Sequence, residues 1–377
     1  MLCSEQENSG TISIPHLNWS ESFTIDSNSC TSIVVPNLYY HLHYNRFTIE
    51  KNGIYLKTEK PVTVFSSEES NLGDHTLILP VYATGSDYII STYDIGTPKN
   101  DNNIDNAFII VSGYDNNQIE ISPKVRYLNA KDSLLASFRI TLNKGETYLY
   151  SDQGDLTGTR VKGLDPSKPI SIFAGNYNTL IDSNCTDPKE GNDPVWDQIY
   201  PMESMDNEFV FIPFKYLNNG NIARIISLEN NCNISINNRI VKTLNEREYY
   251  DTLLFAPSTI KSNKKISVIQ FSRNKDCSYP KVNKDLVGDP SMLCLLPAKA
   301  MFTGNITFKT IALGFDNIKR HCLNIITHSR NINKIYLDTL NIRTYLKPLP
   351  GNSNYYYAQI DIAVSYTHLT LPTIYSV

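Results

Sequence analysis

The sequence predicts an all-β chain of tandem antiparallel β-sandwich modules with little helix. Three observations predict it. Short runs of β-branched and aromatic residues recur between clusters of Asn, Asp, Gly and Pro, the punctuation of strands and turns. Several runs alternate apolar with polar residues, and none sustains a helical period. A closing motif also returns about every 100 residues, the size of a sandwich rather than of a propeller blade or solenoid coil.

In chain order, residues 1–70 read as the C-terminal part of a truncated sandwich, closed by Thr58-Glu59-Lys60-Pro61-Val62-Thr63-Val64-Phe65. A complete module is expected over 71–178, with strands over 76–81, 88–93, 107–112, 118–122 and 137–142. Gln118-Ile119-Glu120-Ile121-Ser122 alternates and presents one apolar face, whereas Phe108-Ile109-Ile110-Val111 is apolar on both faces and reads as a central strand. This module closes on Pro166-Ser167-Lys168-Pro169-Ile170-Ser171-Ile172-Phe173. A second complete module is expected over 179–275, with strands over 209–213 and 222–228 and the alternating Asn233-Ile234-Ser235-Ile236-Asn237. Its closing copy is the weaker Ser262-Asn263-Lys264-Lys265-Ile266-Ser267-Val268-Ile269. In each copy a polar turn and a Lys precede alternating β-branched residues, and in two of them a Pro fixes φ at the strand entrance. Leu296-Pro297 repeats Leu79-Pro80 and Tyr200-Pro201 and marks a partial module over 276–363. Residues 364–377 resemble a translated sequencing adapter and are set aside from fold reasoning as a probable artefact.

The chain has 377 residues, 41% of them hydrophobic, enough to bury real cores. Lys and Arg number 34 against 38 Asp and Glu, a net charge of −4, so no positive field draws in nucleic acid and no nucleic-acid partner is expected. No run approaches the roughly 18 to 20 apolar residues of a membrane helix, so no membrane insertion is expected within the chain. Met1-Leu2-Cys3-Ser4-Glu5 lacks the basic and apolar signature of a signal peptide, which is expected to have been lost by truncation. Seven cysteines (Cys3, Cys30, Cys185, Cys232, Cys277, Cys294 and Cys322) show no C-x-x-C pattern and no His at zinc spacing. Their spacing does not fix a pairing.

Candidate chemistry is sparse. His41 and His43 share a strand face but have no third ligand nearby in sequence, so packing histidines are the better reading. Asp101-Asn102-Asn103-Ile104-Asp105 spaces oxygens as a calcium loop does, yet Asn106 and Ser112 stand where the Gly and the bidentate Glu belong, and a solvated hairpin loop is preferred. Gly154-Asp155-Leu156-Thr157-Gly158-Thr159 lacks the Lys and following helix of a phosphate cradle and reads as a turn. Ser291, in Gly288-Asp289-Pro290-Ser291-Met292, has no nucleophile elbow around it. Tyr39-Tyr40 and Tyr355-Tyr356-Tyr357 offer stacking platforms, against the simpler reading of tyrosines alternating out of sheets. Sequons at Asn18, Asn184, Asn233 and Asn305 are candidate N-glycosylation sites, but about 40 Asn give about six sequons by chance, so their number carries no weight. No catalytic residue, cofactor or metal is assigned.

Six motifs in order carry a family resemblance over about residues 11–312: Leu77-Ile78-Leu79-Pro80, Gly85-Ser86-Asp87-Tyr88, Asp155-Leu156-Thr157-Gly158-Thr159, Ser167-Lys168-Pro169-Ile170-Ser171-Ile172-Phe173-Ala174-Gly175, Asp197-Gln198-Ile199-Tyr200-Pro201 and Gly288-Asp289-Pro290-Ser291-Met292. The chain resembles the N-terminal domain family of the IgG Fc-binding protein. The resemblance implies an extracellular or cell-surface, non-enzymatic adhesion or mucus-scaffold module whose partner is an extracellular protein or glycan. It does not by itself imply binding of immunoglobulin. It also implies structural roles for Asp155, Leu156, Thr157, Gly158, Thr159, Lys168, Pro169, Gly288, Asp289 and Pro290. Family members commonly carry a Cys pair in the loop that corresponds to residues 176–196; here only Cys185 remains, and Asp197 replaces a Glu, so that disulfide is not carried over. The rival reading from another class is a carbohydrate-active enzyme or lectin-like module, and the enzyme requires two carboxylates about 5 to 10 Å apart in a cleft.

Overall fold

The computed structural model describes residues 1–35, 45–67, 74–93, 106–127, 131–182, 193–215, 220–273, 290–300, 304–309, 321–362 and 366–370. Among them regular structure is strand and short 3₁₀ turn, with no α-helix, and the fold is all-β.

In chain order the sheets group into four units. The first supplies β1 (Leu2–Ser4), β2 (Asn8–Ile14), β3 (Trp19–Ile25), β4 (Ser29–Thr31), β5 (Ile49–Glu50), β6 (Tyr55–Thr58), β7 (Thr63–Ser67) and β8 (His75–Ile78). They form one sheet in the order β4-β1-β7-β8 and another in the order β3-β2-β6. The second unit supplies β9 (Asp87–Ile89), β10 (Asn106–Ser112), β11 (Asn117–Ser122), the small ribbon β12 (Lys124–Val125) and β13 (Ser133–Leu134), β14 (Phe138–Leu142), β15 (Thr147–Asp152), β16 (Arg160–Gly163), β17 (Ile170–Thr179) and β18 (Asp193–Gln198). Its two sheets run β14-β11-β16-β9 and β18-β17-β10-β15-β5, so the first unit lends β5 to the second.

The third unit supplies β19 (Asp206–Phe211), β20 (Asn221–Ser227), β21 (Cys232–Ile236), β22 (Arg239–Leu244), β23 (Tyr249–Leu254), β24 (Ser258–Ser272) and β25 (Ser291–Cys294). Here one 15-residue strand does what β16 and β17 do separately. The first part of β24 pairs with β19 and β21, and the second part with β20 and β25, which fuses the two sheets into one of seven strands. The fourth unit supplies β26 (Asn305–Lys309), β27 (His321–His328), β28 (Tyr336–Leu337), β29 (Leu340–Asn341), β30 (Lys347–Leu349) and β31 (Asn352–Ile362), with one sheet in the order β27-β31-β30; β32 (Tyr366–Thr370), from the segment set aside above, pairs with β26 and β28 in the order β26-β32-β28-β29.

The alternation expected of residues 118–122 is realised in β11, where Ile119 and Ile121 are fully buried and Gln118 is exposed. Central β10 is paired on both sides, by β15 and β17. Two expected strands end early. The run over 76–81 stops at Ile78, because Pro80 has no N–H to donate and instead leads into a 3₁₀ turn over Val81–Ala83. The same turn follows Pro201 and Pro297: Ala83, Ser204 and Ala300 donate to the carbonyls of Pro80, Pro201 and Pro297 at 2.8, 3.0 and 2.9 Å. The run over 88–93 keeps the ladder only through Ile89, after which the chain turns inward and Ser91 to Tyr93 are buried.

The repeated Lys also acquires a reason. Lys168 Nζ donates to the carbonyls of Asp115 and Asn116 at 3.1 and 3.3 Å, holding the β10–β11 turn, and Lys60 Nζ donates to Glu7 O at 3.0 Å in the first unit. Asn117 and Asn8 return the contact by donating to the carbonyls of Lys168 and Lys60, each at 2.9 Å. One hydrophobic core runs from Tyr88 to Cys294 without a break between the second and third units, and the fourth has a separate core around Ile325, Ile335, Ile342 and Ile360. Cys3 and Cys30 lie directly opposite on β1 and β4 and form a disulfide. Cys232 and Cys294 are buried thiols and Cys322 is a half-buried one, while Cys185 and Cys277 lie outside the described residues.

Candidate functional site

The densest polar cluster sits where the second and third units meet. Between its polar ends Asn221 and Ser227, central β20 is apolar except for Arg224, whose side chain is fully buried and reaches out of its own unit. Its Nε and Nη2 donate to Asp251 at 2.8 and 2.7 Å in a two-point bond. Its Nη1 donates across the junction to Asp155 Oδ2 at 3.0 Å, to Thr157 Oγ1 at 2.9 Å and to the carbonyl of Thr92. The rings of Tyr249 and Tyr93 lie 4.2 and 4.8 Å from the guanidinium carbon. Burial alone opposes charge on Arg224, but the carboxylates of Asp251 and Asp155 outweigh it and hold the guanidinium protonated.

Asp155 is saturated in turn. Its Oδ1 accepts from Thr92 Oγ1 at 2.8 Å, Thr157 N at 2.9 Å and Thr157 Oγ1 at 2.5 Å, and its Oδ2 accepts from Arg224 and from the Tyr249 hydroxyl at 3.0 Å. Burial pushes the Tyr249 phenol well up, so it stays a donor. The rest of the motif completes the seam. Arg247 donates to Gly158 O and to Ser122 O, both at 2.6 Å, while Lys124 Nζ donates back to Arg247 O at 2.6 Å. Gly158 has φ +92°, and a Cβ there would stand 2.4 Å from Arg247 O. The segment therefore serves as an interlock between sandwiches.

A second seam joins β8, β18 and β25, each lying where one unit hands over to the next. Thr76 Oγ1 donates to Asp197 Oδ1 at 2.5 Å and Cys294 N to Asp197 Oδ2 at 2.7 Å, so the carboxylate of Asp197 links β8 to β25 through β18. Asp74 accepts from Trp196 N at 2.6 Å and His75 N at 2.8 Å. Burial, reinforced by the negative charges of Asp197 and Asp193, pushes the Asp74 carboxyl up to about 7. Gly175, of the Phe173-Ala174-Gly175 motif, is required here because a Cβ would meet the Val195 carbonyl at 1.8 Å.

The other expected residues scatter. Pro169 is half-buried just ahead of β17, and Pro290 is buried just ahead of β25. Asn18, Asn233 and Asn305 are exposed, on a turn, on β21 and on β26. Among the described residues, the Ser291 hydroxyl bonds to that of Ser272, at 2.9 Å, and no base is paired with it. Tyr355, Tyr356 and Tyr357 are half-buried on β31. His41, His43, Tyr39, Tyr40, the 101–105 loop, Asn184, Gly288 and Asp289 lie outside the described residues. Sequence reasoning missed Arg224, Thr92, Tyr249 and Asp251. Arg224 left one usable signal: a lone charge inside the expected apolar strand 222–228.

A family model described as IgGFc binding protein matches residues 74–373. The chain belongs to this family. Searches of curated proteins and of solved structures give no match. The match takes in both seams, so the interlock built on Asp155 to Thr159 lies within the part of the chain that the family model covers.

Proposed function

We propose that this chain is an extracellular, non-enzymatic binding module of the IgGFc-binding family, acting as a rigid scaffold for adhesion or within a mucus-like matrix. One observation carries the reading: the polar groups most concentrated in space, Arg224 with Asp155, Asp251 and Thr157, are consumed in bonding one sandwich to the next. Chemistry on a substrate needs polar groups left open to it, whereas presentation of loops needs a frame that does not flex. Asp197, another buried carboxylate, is likewise satisfied by Thr76 and by backbone N–H groups, which favours binding over glycoside hydrolysis. The Cys3–Cys30 disulfide supports an oxidising compartment.

The test is an array of glycans, mucins and matrix glycoproteins probed with the intact chain, followed by incubation of each ligand with it. Saturable binding with the ligand recovered unchanged is expected. Release of reducing sugar or of any cleaved product would overturn the non-enzymatic part. No binding to any class would leave a mechanical spacer in its place.

A further inference from the structure

Three edge hairpins of the chain can be laid over one another by their ladders. β2 with β3, β11 with β14 and β21 with β22 each place the later strand at the end of a sheet. Each ladder opens on a buried pair, Asn8↔Ile25, Asn117↔Leu142 and Cys232↔Leu244. Side chains alternate along a strand, so the second and fourth pairs of each ladder stand on the outer face. The second pair is polar in all three, Ser9↔Thr24, Gln118↔Thr141 and Asn233↔Thr243. The fourth differs. It is Thr11↔Ser22 in the first hairpin, Glu120↔Arg139 joined by a 3.0 Å ion pair in the second, and Ser235↔Ile240 in the third.

Ile240 is 72% exposed, an aliphatic side chain where the other two hairpins carry a hydroxyl or a charge. The edge is also irregular there: Ile234 pairs with Lys242 and Ser235 with Ile240, which leaves Val241 as a bulged residue that is 39% exposed. Of the three hairpins, this is the one whose outward residues spell an Asn-x-Ser acceptor, Asn233-Ile234-Ser235, where the others read Ser9-Gly10-Thr11 and Gln118-Ile119-Glu120. The Asn233 amide is oriented by its oxygen. Thr243 Oγ1 donates to Asn233 Oδ1 at 2.8 Å, so Nδ2, the atom that carries sugar in such an acceptor, is not the one this bond engages, and the residue is exposed.

We propose that Asn233 carries an N-linked glycan whose first sugars lie over Ile240 and shield the bulged edge of β22. In the transfer, Nδ2 loses a proton and bonds to C1 of the first N-acetylglucosamine. The bond from that carbon to a lipid-linked pyrophosphate breaks, and the pyrophosphate leaves with the electron pair. Diagonal neighbours on adjacent strands stand about 7–8 Å apart, so sugar on Asn233 reaches Ile240 across the outer face. A pyranose ring has a face of C–H groups, and laying it on Ile240 removes apolar area from water while the hydroxyls stay wetted. The glycan thus does for β22 what the charge of Arg139 does for β14, guarding an edge strand against pairing with another chain. Because the sugar is transferred in the secretory pathway, this site rests on the extracellular reading above.

The experiment expresses the intact chain behind a secretion signal in a eukaryotic host. Occupancy is read by mass spectrometry after enzymatic deglycosylation in heavy-oxygen water, which marks each formerly glycosylated Asn as a labelled Asp. Asn233 is expected to be occupied in the secreted chain and bare in Ser235→Ala. Coverage is read by hydroxyl-radical footprinting of the folded protein with and without its sugar. Oxidation of Ile240 is expected to rise about twofold or more on deglycosylation, in proportion to the area uncovered, and to the same level in Ser235→Ala. A secreted chain with Asn233 bare overturns the proposal and leaves the extracellular reading standing. Equal oxidation of Ile240 in the two forms overturns the covering role. A chain that folds when made in the cytosol but is never secreted would overturn both readings.

Discussion

Arg224 shows how one residue can fix the relation between two sandwiches. It is fully buried and divides its donors between the half-exposed Asp251 in its own unit and the buried Asp155 in the neighbour, so its removal leaves the Asp155 carboxylate without its cation. Arg224→Met is expected to cost about 3 to 5 kcal/mol in chemical denaturation, the range for breaking a buried ion pair from one side. Arg224→Lys is expected to recover little of this, because one ammonium cannot reproduce the planar fork. Asp74 gives a pH prediction. Its carboxyl rises from an ordinary 3.8 to about 7 in the fold, so between those limits the folded chain holds a proton that the unfolded chain has lost. Stability is therefore full at the acid end of this window and declines as pH rises through it. Asp197 is shifted in the same direction by burial. Thermal melts from pH 4.5 to 8 are expected to show the decline, and Asp74→Asn to flatten it; an unchanged slope in the variant would rule Asp74 out as its source. At this scale the sequence was poorly legible. Asp155 stood out only through its motif, and nothing local revealed that its partners lie about 70 and 95 positions away at Arg224 and Tyr249.

At the scale of elements the sequence was far more readable, because period-two alternation and Pro or Asn punctuation act locally. β10, β11, β14, β20 and β21 lie within a residue or two of their expected positions. The errors fall where a ladder ends for a distant reason, as after Ile89, where the chain leaves β9 to feed Thr92 and Tyr93 into the Arg224 cluster. The hundred-residue repeat was legible through its Lys, and in the first two units the structure supplies the cause, a side chain that ties the closing turn to the first hairpin, whereas in the third Lys265 Nζ reaches Met202 O. Lys168→Met is expected to cost about 1 kcal/mol, the usual worth of such a hydrogen bond, with faster hydrogen exchange confined to the β10–β11 turn. Gly158→Ala is expected to cost more than 1 kcal/mol, since it combines a left-handed backbone with a clash against Arg247 O. Exchange should then accelerate on both sides of the seam. If only β16 responded, the interlock role would be wrong.

Across the whole molecule, the second and third units share one core while the first stands apart from it, closed by its own disulfide. Calorimetry is expected to show residues 87–294 unfolding in one cooperative transition whose calorimetric and van't Hoff enthalpies agree. Reduction of Cys3–Cys30 is expected to remove about 3 to 4 kcal/mol from the first unit through the freed 27-residue loop, leaving the larger transition in place. Two separate transitions within 87–294 would mean that the seam holds less than its buried charges suggest. β24 carries one more consequence. Because its first part is zipped to β19 and β21 and its second part to β20 and β25, tension applied along it meets both ladders sideways, and many bonds must shear together before any residue can pay out. When the chain is stretched between its ends, the third sandwich should be the last to give way, setting the force that a filament built from such units withstands.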